Sequence, residues 1–123
     1  MAQLLYLSKR ARPDIQISVS FLFTRIIVPD TDHYKKLVRV VKYIQGTIGL
    51  PLILSIDKSA NIKWYVDASF EVHKDMRSHT GGFMTMGTGR AYVQSSKQNL
   101  KTKISTEAEI VGVYDVLIQI IWT

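Results

Sequence analysis

The sequence contains no cysteine, which excludes a disulfide framework and any metal site built from thiolates, and which fits a reducing compartment. It also has no long hydrophobic run, because charged residues interrupt the apolar stretches within about ten residues, and no segment is predicted to span a membrane. At the N-terminus a few apolar residues precede a basic cluster, the reverse of the order in a secretory signal. We therefore expect a soluble intracellular protein, cytoplasmic or nuclear, without a membrane partner.

The net charge of +6 is concentrated in the first part of the chain. Residues 1–50 contain eight Lys or Arg and three Asp, whereas residues 51–123 contain eight Lys or Arg and seven acids. The basic half is suited to a phosphate backbone, because neutralising phosphates releases counterions. The alternative is a solvated face on an ordinary basic protein.

The first half of the chain has the apolar spacing of two helices. One stripe is formed by Ile15, Val19, Leu22 and Phe23. After a loop at Pro29, a second stripe is formed by Tyr34, Leu37, Val38, Val41 and Ile44. Gly46 is a natural end for the second helix. We predict that the two helices pack together as a helical hairpin.

From Leu52 onward the hydrophobic period becomes that of strands. The stretches "LILSI" and "NIKWYVDAS" flank the turn-forming "DKSA" and are predicted to form a hairpin. A second hairpin is predicted for "TGGFMTMG" and "RAYVQSS", around the turn Gly87-Thr88-Gly89. The last stretch, "KISTEAEIVGVYDVLIQIIWT", reads as a helix. Three or four antiparallel strands followed by a helix indicate an α+β fold.

The C-terminal helix is predicted to pack on the core through a broad apolar arc. Its members are Ile110, Val113, Tyr114, Leu117, Ile118, Ile120 and Ile121. Gly112, Asp115 and Gln119 would then face solvent. Glu109 projects inside the arc, where an ionised carboxylate is costly to bury unless it is paired or binds a metal.

Asp67 is the second acid in an unexpected position. It shares a strand face with Tyr65, opposite the core set, and lies near the end of its strand. An acid there, beside Glu109 in the first turn of a packed helix, could hold Mg²⁺ through hard oxygen ligands. Two such ions could activate water and stabilise the leaving oxygen of a phosphodiester.

Each acid also has an interpretation without metal. The run Thr106–Glu109 matches a capping box with Glu109 in the fourth position, and Asp67 could accept hydrogen bonds in a turn. Glu107 is suited to the helix dipole, and Asp115 to a solvated face.

Other common sites find little support in the sequence. The histidines are scattered, without the spacing of a zinc site, and Ser95 and Ser96 have no nearby histidine for a hydrolase triad. Between the last strand and the last helix lie three lysines, which could hold a nucleic-acid backbone or only keep a loop soluble. They are Lys97, Lys101 and Lys103.

Taken in order, the motifs resemble the C-terminal part of a copia-type retrotransposon Pol polyprotein. They run along nearly the whole chain, and "STEAE" at its distance from "SSKQ" and "YVDAS" makes the set fairly specific. The full set is "YLSKRARPDI" (6–15), "HYKKLVRVVKYIQGTIGL" (33–50), "YVDAS" (65–69), "DMRSHTGGFM" (75–84), "SSKQ" (95–98) and "STEAE" (105–109).

This resemblance implies two domains. Residues 1–55 would be the C-terminal thumb or connection portion of a reverse transcriptase, and residues 56–123 the N-terminal part of a ribonuclease H domain. The implied architecture is an incomplete ribonuclease H-like fold preceded by a helical hairpin. Asp67 and Glu109 would be catalytic ligands of Mg²⁺, with Mn²⁺ as a substitute, in hydrolysis of the RNA strand of an RNA–DNA hybrid.

The sequence also departs from the family pattern. Val93 and Phe70 stand where tryptophan is usual, Ile110 replaces a tyrosine, and no third or fourth acidic ligand is found. We therefore expect a fragment that cleaves little or nothing by itself and whose partner is the remainder of the Pol polyprotein. Two alternatives stay open, a noncatalytic basic nucleic-acid-binding module and a structural remnant that associates through an open sheet edge.

Overall fold

The computed structural model describes all 123 residues and forms two compact units, Met1–Leu52 and Ile53–Thr123. The predicted boundary at residue 55 lies three residues beyond this division. The predicted α+β class is confirmed, with four α-helices and one three-stranded antiparallel sheet. None of the helices combines the length and the apolar character that crossing a membrane requires.

The unit Met1–Leu52 is entirely helical. It contains α1 (Ala2–Arg10), a 3₁₀ turn (Pro13–Ile15), α2 (Gln16–Phe23) and α3 (Thr31–Gly46). Contact between α2 and α3 agrees with the predicted hairpin, and α3 ends at Gly46 as expected. α1 was not predicted, and it adds leucines to the core.

The buried face of α3 agrees with the predicted stripe at Leu37 and Ile44, which pack against the core, and differs from it at other positions. Tyr34 and Val41 are exposed, whereas Val40 and His33 are buried. A capping box begins this helix, because the Asp30 carboxylate accepts the His33 amide at 2.8 Å and the His33 ring accepts the Asp30 amide at 3.2 Å. The core consists of Ile15, Val19, Leu22 and Val40.

Arg12 joins the start of the 3₁₀ turn to the end of α3. Its guanidinium donates to both carboxylate oxygens of Asp14 at 3.0 and 2.8 Å, and to the Thr47 carbonyl at 3.1 Å. The Tyr43 hydroxyl also donates to Asp14, at 2.8 Å. The hydrogen bond from Arg12 lowers the pKa of the Asp14 carboxyl, and Tyr43 adds to the effect.

The unit Ile53–Thr123 is built on the sheet order β1-β2-β3, with β1 (Lys63–Ser69), β2 (His79–Thr85) and β3 (Tyr92–Lys97). Asp67 pairs with Gly81, which pairs with Ser95. One row along, Tyr65 pairs with Phe83. The β2–β3 hairpin around Gly87-Thr88-Gly89 is therefore confirmed.

The other predicted hairpin is wrong, because "LILSI" forms no strand with β1. This segment instead follows the β2–β3 turn, where the Ser55 amide donates to the Thr88 carbonyl at 3.0 Å and the Asp57 amide to Met86 at 2.8 Å. Asp57 closes a local turn by accepting the Ser59 amide at 3.1 Å and binds Lys63 at 2.9 Å. These side-chain bonds compete with a strand-to-strand ladder.

The last helix, α4 (Ser105–Trp122), lies on the sheet and runs antiparallel to β1. Near its C-terminus, Trp64 Nε1 donates to Thr123 Oγ1 at 2.9 Å. Nearer its N-terminus, a Cβ placed on Gly112 would lie 3.3 Å from the Cβ of Ala68. The N-terminal turn of α4 is therefore at the end of the sheet where β1 finishes.

The predicted packing face of α4 is also wrong. The residues buried against the sheet recur every four positions and are Ala108, Gly112 and Val116. Most of the predicted apolar arc is exposed instead, including Tyr114 at 73% and Ile121 at 72%. Small residues permit close approach of the helix to the sheet, and a buried hydrogen-bond network holds this face, so apolar character alone does not select it.

Candidate functional site

Asp67 lies on the face of the sheet that points away from α4, which we call the open face. As predicted, it shares this face with Tyr65, and the open face also carries Gly81, Phe83 and Ser95. The Asp67 side chain is exposed, and its Oδ1 accepts the amide of Ala68 at 2.9 Å. No cation lies within ion-pair distance of it, so this carboxylate is accessible to a ligand.

Glu109 is exposed on α4 and makes no ion pair, so the expected cost of burying it does not arise. The capping-box interpretation of Glu109 is wrong. The N-cap of α4 is Ile104, which makes no side-chain cap, and Glu107 Oε2 accepts the Lys103 amide at 2.7 Å. Glu107 therefore secures the start of α4, while Glu109 is left available.

The two acids come from the same end of the sheet–helix pair. Asp67 is adjacent to Ala68, which lies against Gly112, and Glu109 is one helical turn before Gly112. No group of three or more His, Cys, Asp or Glu is arranged to hold a metal ion. The geometry therefore offers two accessible carboxylates rather than a complete metal cage.

Asp115 is not the solvated acid that the sequence predicted. It is half-buried, and its Oδ2 accepts the Thr80 hydroxyl at 3.0 Å. Gln98 Nε2 donates to Thr80 Oγ1 at 3.0 Å and to the Ala108 carbonyl at 2.8 Å. This network joins β2, the end of β3 and α4, so Asp115 has a structural role.

The three candidate lysines differ in availability. Lys97 donates to Asp75 at 2.6 Å, and this hydrogen bond lowers the pKa of the Asp75 carboxyl. Lys101 and Lys103 are exposed, with no acid within ion-pair distance. Both lie just before α4, on the connection that leads to Glu109, and they are therefore the freer cations for a phosphate backbone.

The sequence interpretation missed a cluster of two histidines and a serine. His79 Nε2 lies 2.7 Å from Ser95 Oγ, and His79 Nδ1 lies 2.9 Å from His73 Nε2. Burial, with a contribution from His73, lowers the pKa of His79 to about 4. The expectation that the histidines are scattered and that Ser95 has no neighbouring histidine is therefore wrong. Only the strand register, which pairs Ser95 with Gly81, could have indicated it.

Comparisons with known proteins identify similar sequences but no similar solved structure. No family model and no solved structure matches the chain. A protein described as a putative transposon Ty5-1 protein, from Saccharomyces cerevisiae, is 32% identical over 123 residues, and the match covers 98% of this chain and 40% of that protein.

Two further relatives differ greatly in length. The Pol polyprotein of transposon RE2 from Arabidopsis thaliana is 29% identical over 112 residues, or 90% of this chain and 8% of the polyprotein. Secreted RxLR effector protein 161 of Plasmopara viticola is 27% identical over 120 residues, or 97% of this chain and 84% of the effector. The chain thus spans less than half the length of its transposon relatives.

Proposed function

We propose that this chain, a relative of the copia-type retrotransposon Pol polyproteins, contributes a ribonuclease H-like unit that acts on RNA–DNA hybrids. In this proposal Ile53–Thr123 is the ribonuclease H-like portion, and Met1–Leu52 derives from the end of a reverse transcriptase. Its functional partners are the hybrid and the remainder of a Pol polyprotein.

The observation that carries the proposal is that Asp67 and Glu109 both lie at the same end of the sheet–helix pair. The antiparallel course of α4 on β1 brings the helix start to the strand end. Both side chains are exposed and without cationic partners. Two acids from these two elements are what the resemblance assigns to the ribonuclease H reaction.

The donor set fits a hard divalent cation. Mg²⁺ keeps several waters and is commonly bound by one or two carboxylates. Asp67 points to the open face and Glu109 stands on α4, so the two would share one hydrated ion only around the end of the sheet where β1 finishes and α4 begins. When bound, the ion would activate water and stabilise charge on the scissile phosphate. Because the chain arranges no group of three ligands, we assign one ion and derive no step from a second.

The chain's own lysines would hold the substrate. Lys101 and Lys103 are exposed and unpaired, and together they would contact phosphates next to the acids. Lys97 would contribute less, because its ammonium group is already bound to Asp75. Slow cleavage is expected, since one ion stabilises the attacking and leaving oxygens less well than two.

The test is metal binding and cleavage by the same chain. Mn²⁺ should broaden the NMR signals of residues around Asp67 and Glu109, and a labelled RNA–DNA hybrid should be cut slowly in Mg²⁺ or Mn²⁺. Asp67→Asn and Glu109→Gln should each remove both effects. Glu71→Gln, which changes another exposed acid of the same unit, is the matched control. Broadening that persists in both site variants contradicts the proposal.

A second function, metal-independent binding of nucleic acid, is favoured by the unpaired state of Lys101 and Lys103. Hybrid binding would then persist in the presence of a chelator and in the variants Asp67→Asn and Glu109→Gln. Binding that falls with removal of either carboxylate supports the metal-dependent function instead.

A further inference from the structure

We propose that Ser95 is a reactive serine that accepts an acyl group from activated esters, with His79 as its base and His73 as the residue that positions His79. This site goes beyond the proposed nuclease function, because it uses neither Asp67 nor Glu109 and needs no metal. It lies on the open face of the sheet, where β2 and β3 carry its two central residues.

The atoms are connected as an acyl-transfer nucleophile requires. Ser95 Oγ contacts Nε2 of His79 at 2.7 Å, and the other ring nitrogen, Nδ1, contacts Nε2 of His73 at 2.9 Å. An activated serine is generally recognised by two hydrogen bonds. Its hydroxyl is hydrogen-bonded to a base, and a third group orients the base from its other side. When His79 carries its proton on Nδ1 and donates it to His73, its Nε2 is free to accept the serine proton.

The fold holds this arrangement in place. His73 is 4% exposed and lies in a loop closed by two backbone bonds, from its own amide to the Arg77 carbonyl at 3.2 Å and from Met76 to its carbonyl at 2.9 Å. His79 begins β2, and the β2–β3 register brings it diagonally beside Ser95. The base is therefore fixed between a buried partner and the nucleophile.

Gly81 leaves room for an acyl donor beside Ser95. The two residues are register partners, and a Cβ on Gly81 would meet only the carbonyl oxygen of Asp67, at 4.0 Å. Ser95 and His79 are each partly accessible. A small ester can thus approach the hydroxyl from the open face without displacing a side chain at position 81.

The chemical step balances within these groups. Ser95 Oγ attacks the ester carbonyl carbon while its proton passes to His79 Nε2. The carbon–oxygen bond to the leaving group breaks, and the leaving oxygen takes the proton from His79. The products are O-acyl-Ser95, a free alcohol or phenol, and neutral His79. Burial lowers the pKa of His79 to about 4, which keeps its ring unprotonated at neutral pH but makes it a weaker base than an ordinary histidine.

The experiment is acetylation of the intact chain by p-nitrophenyl acetate at neutral pH, with peptide mapping by mass spectrometry. Ser96 is an internal control, because it alternates with Ser95 along β3 and points to the α4 side. Base catalysis by a positioned side chain contributes at least about 100-fold, so Ser95 should be acetylated about 100-fold faster than Ser96. Hydroxylamine should remove this ester, whereas it would leave an acetylated Lys97 intact.

Variants separate the roles of the two histidines. His79→Gln should reduce the Ser95 rate to that of Ser96. His73→Leu should slow acetylation, and His73→Asp should restore it by again accepting the Nδ1 proton, which a merely structural His73 would not explain. Equal rates at Ser95 and Ser96 in the unaltered chain would overturn the proposal and require no variant to fold. The acetylation assay uses no metal ion, so its outcome is independent of the hybrid-cleavage test.

Discussion

Ala68 and Gly112 face each other where β1 meets α4, and a Cβ on Gly112 would lie 3.3 Å from that of Ala68. Such a contact would be tighter than ordinary van der Waals packing, so the helix approaches the sheet more closely than a residue with a Cβ would readily allow. This close approach also fixes the rotation of α4, because the neighbouring turns place Ala108 and Val116 on the same buried face.

Gly112→Leu should destabilise the unit Ile53–Thr123 by about 1–3 kcal/mol, because an overpacked side chain would force α4 from the sheet. Urea unfolding of the variant and the unaltered chain measures this difference. Val113→Leu, at an exposed position of the same helix, is the matched control and should change the stability little. Equal stability of the Gly112→Leu variant would show that α4 does not depend on this contact.

Thr80→Val should cost about 1–3 kcal/mol, because it removes the hydroxyl that donates to Asp115 and accepts from Gln98. Thermal and urea unfolding measure the loss. Asp115→Asn should cost less, since its amide oxygen can still accept the Thr80 hydroxyl. If Asp115→Asn were the more damaging change, the charge of Asp115 rather than its hydrogen bond would be the important contribution.

The free energy of unfolding should fall as the pH drops from about 6.5 to about 4, because burial lowers the pKa of His79 from its ordinary 6.5 to about 4. In that window the unfolded chain binds a proton at His79 that the folded chain does not, so acid favours unfolding. The full stability is present above a pH of about 6.5. The neighbouring His73 adds repulsion to a protonated His79.

We expect a loss on the order of 1–2 kcal/mol between the two ends of this window, after allowance for partial exposure of the ring. Urea midpoints at several pH values measure it. His79→Gln should flatten the profile, whereas His33→Asn in the other unit should leave the slope of the sheet unit unchanged. A profile that His79→Gln does not alter would assign the acid sensitivity to other groups.

Arg12→Lys should lower the urea midpoint of the unit Met1–Leu52, because a lysine cannot bind both oxygens of Asp14 and also reach Thr47. Arg10→Lys, at an exposed neighbouring position, is the control and should have little effect. Equal urea midpoints for the two variants would contradict a structural role for the paired hydrogen bonds from Arg12 to Asp14.

Replacing Lys101 and Lys103 with glutamine should reduce the salt dependence of hybrid binding. Each lost phosphate contact lowers the slope of log K against log salt by about 1, so the double variant should lose about 2. Lys58→Gln is the matched control, and Lys97→Gln should have a smaller effect because of its bond to Asp75. An unchanged slope in the double variant would place the nucleic acid elsewhere.

Local signals predicted the fold best. The β2–β3 hairpin follows from alternation on both sides of Gly87-Thr88-Gly89, and the end of α3 follows from Gly46. Such features depend on residues that are close in sequence. The hairpin predicted for "LILSI" failed because the side chain of Asp57 formed a turn and its backbone paired with Met86, a partner far along the chain.

The packing face of α4 required information that periodicity does not contain. The more apolar face of this helix is exposed, and the packed face depended on Gly112 meeting Ala68 and on Asp115 meeting Thr80. Strand alternation is unambiguous, so the sequence placed Asp67 on its correct face. Helical periodicity chose the wrong packing face for α4, so the sequence predicted that Glu109 is buried, whereas it is exposed.

Both tryptophans, Trp64 and Trp122, belong to the unit Ile53–Thr123, and Met1–Leu52 contains none. Indole fluorescence therefore observes one unit only, while far-ultraviolet circular dichroism sums the helices of both. Chains with more than one compact unit can depart from two-state unfolding. Any gap between the two optical transitions in this chain would measure, without a label or a mutation, how independently its two units melt.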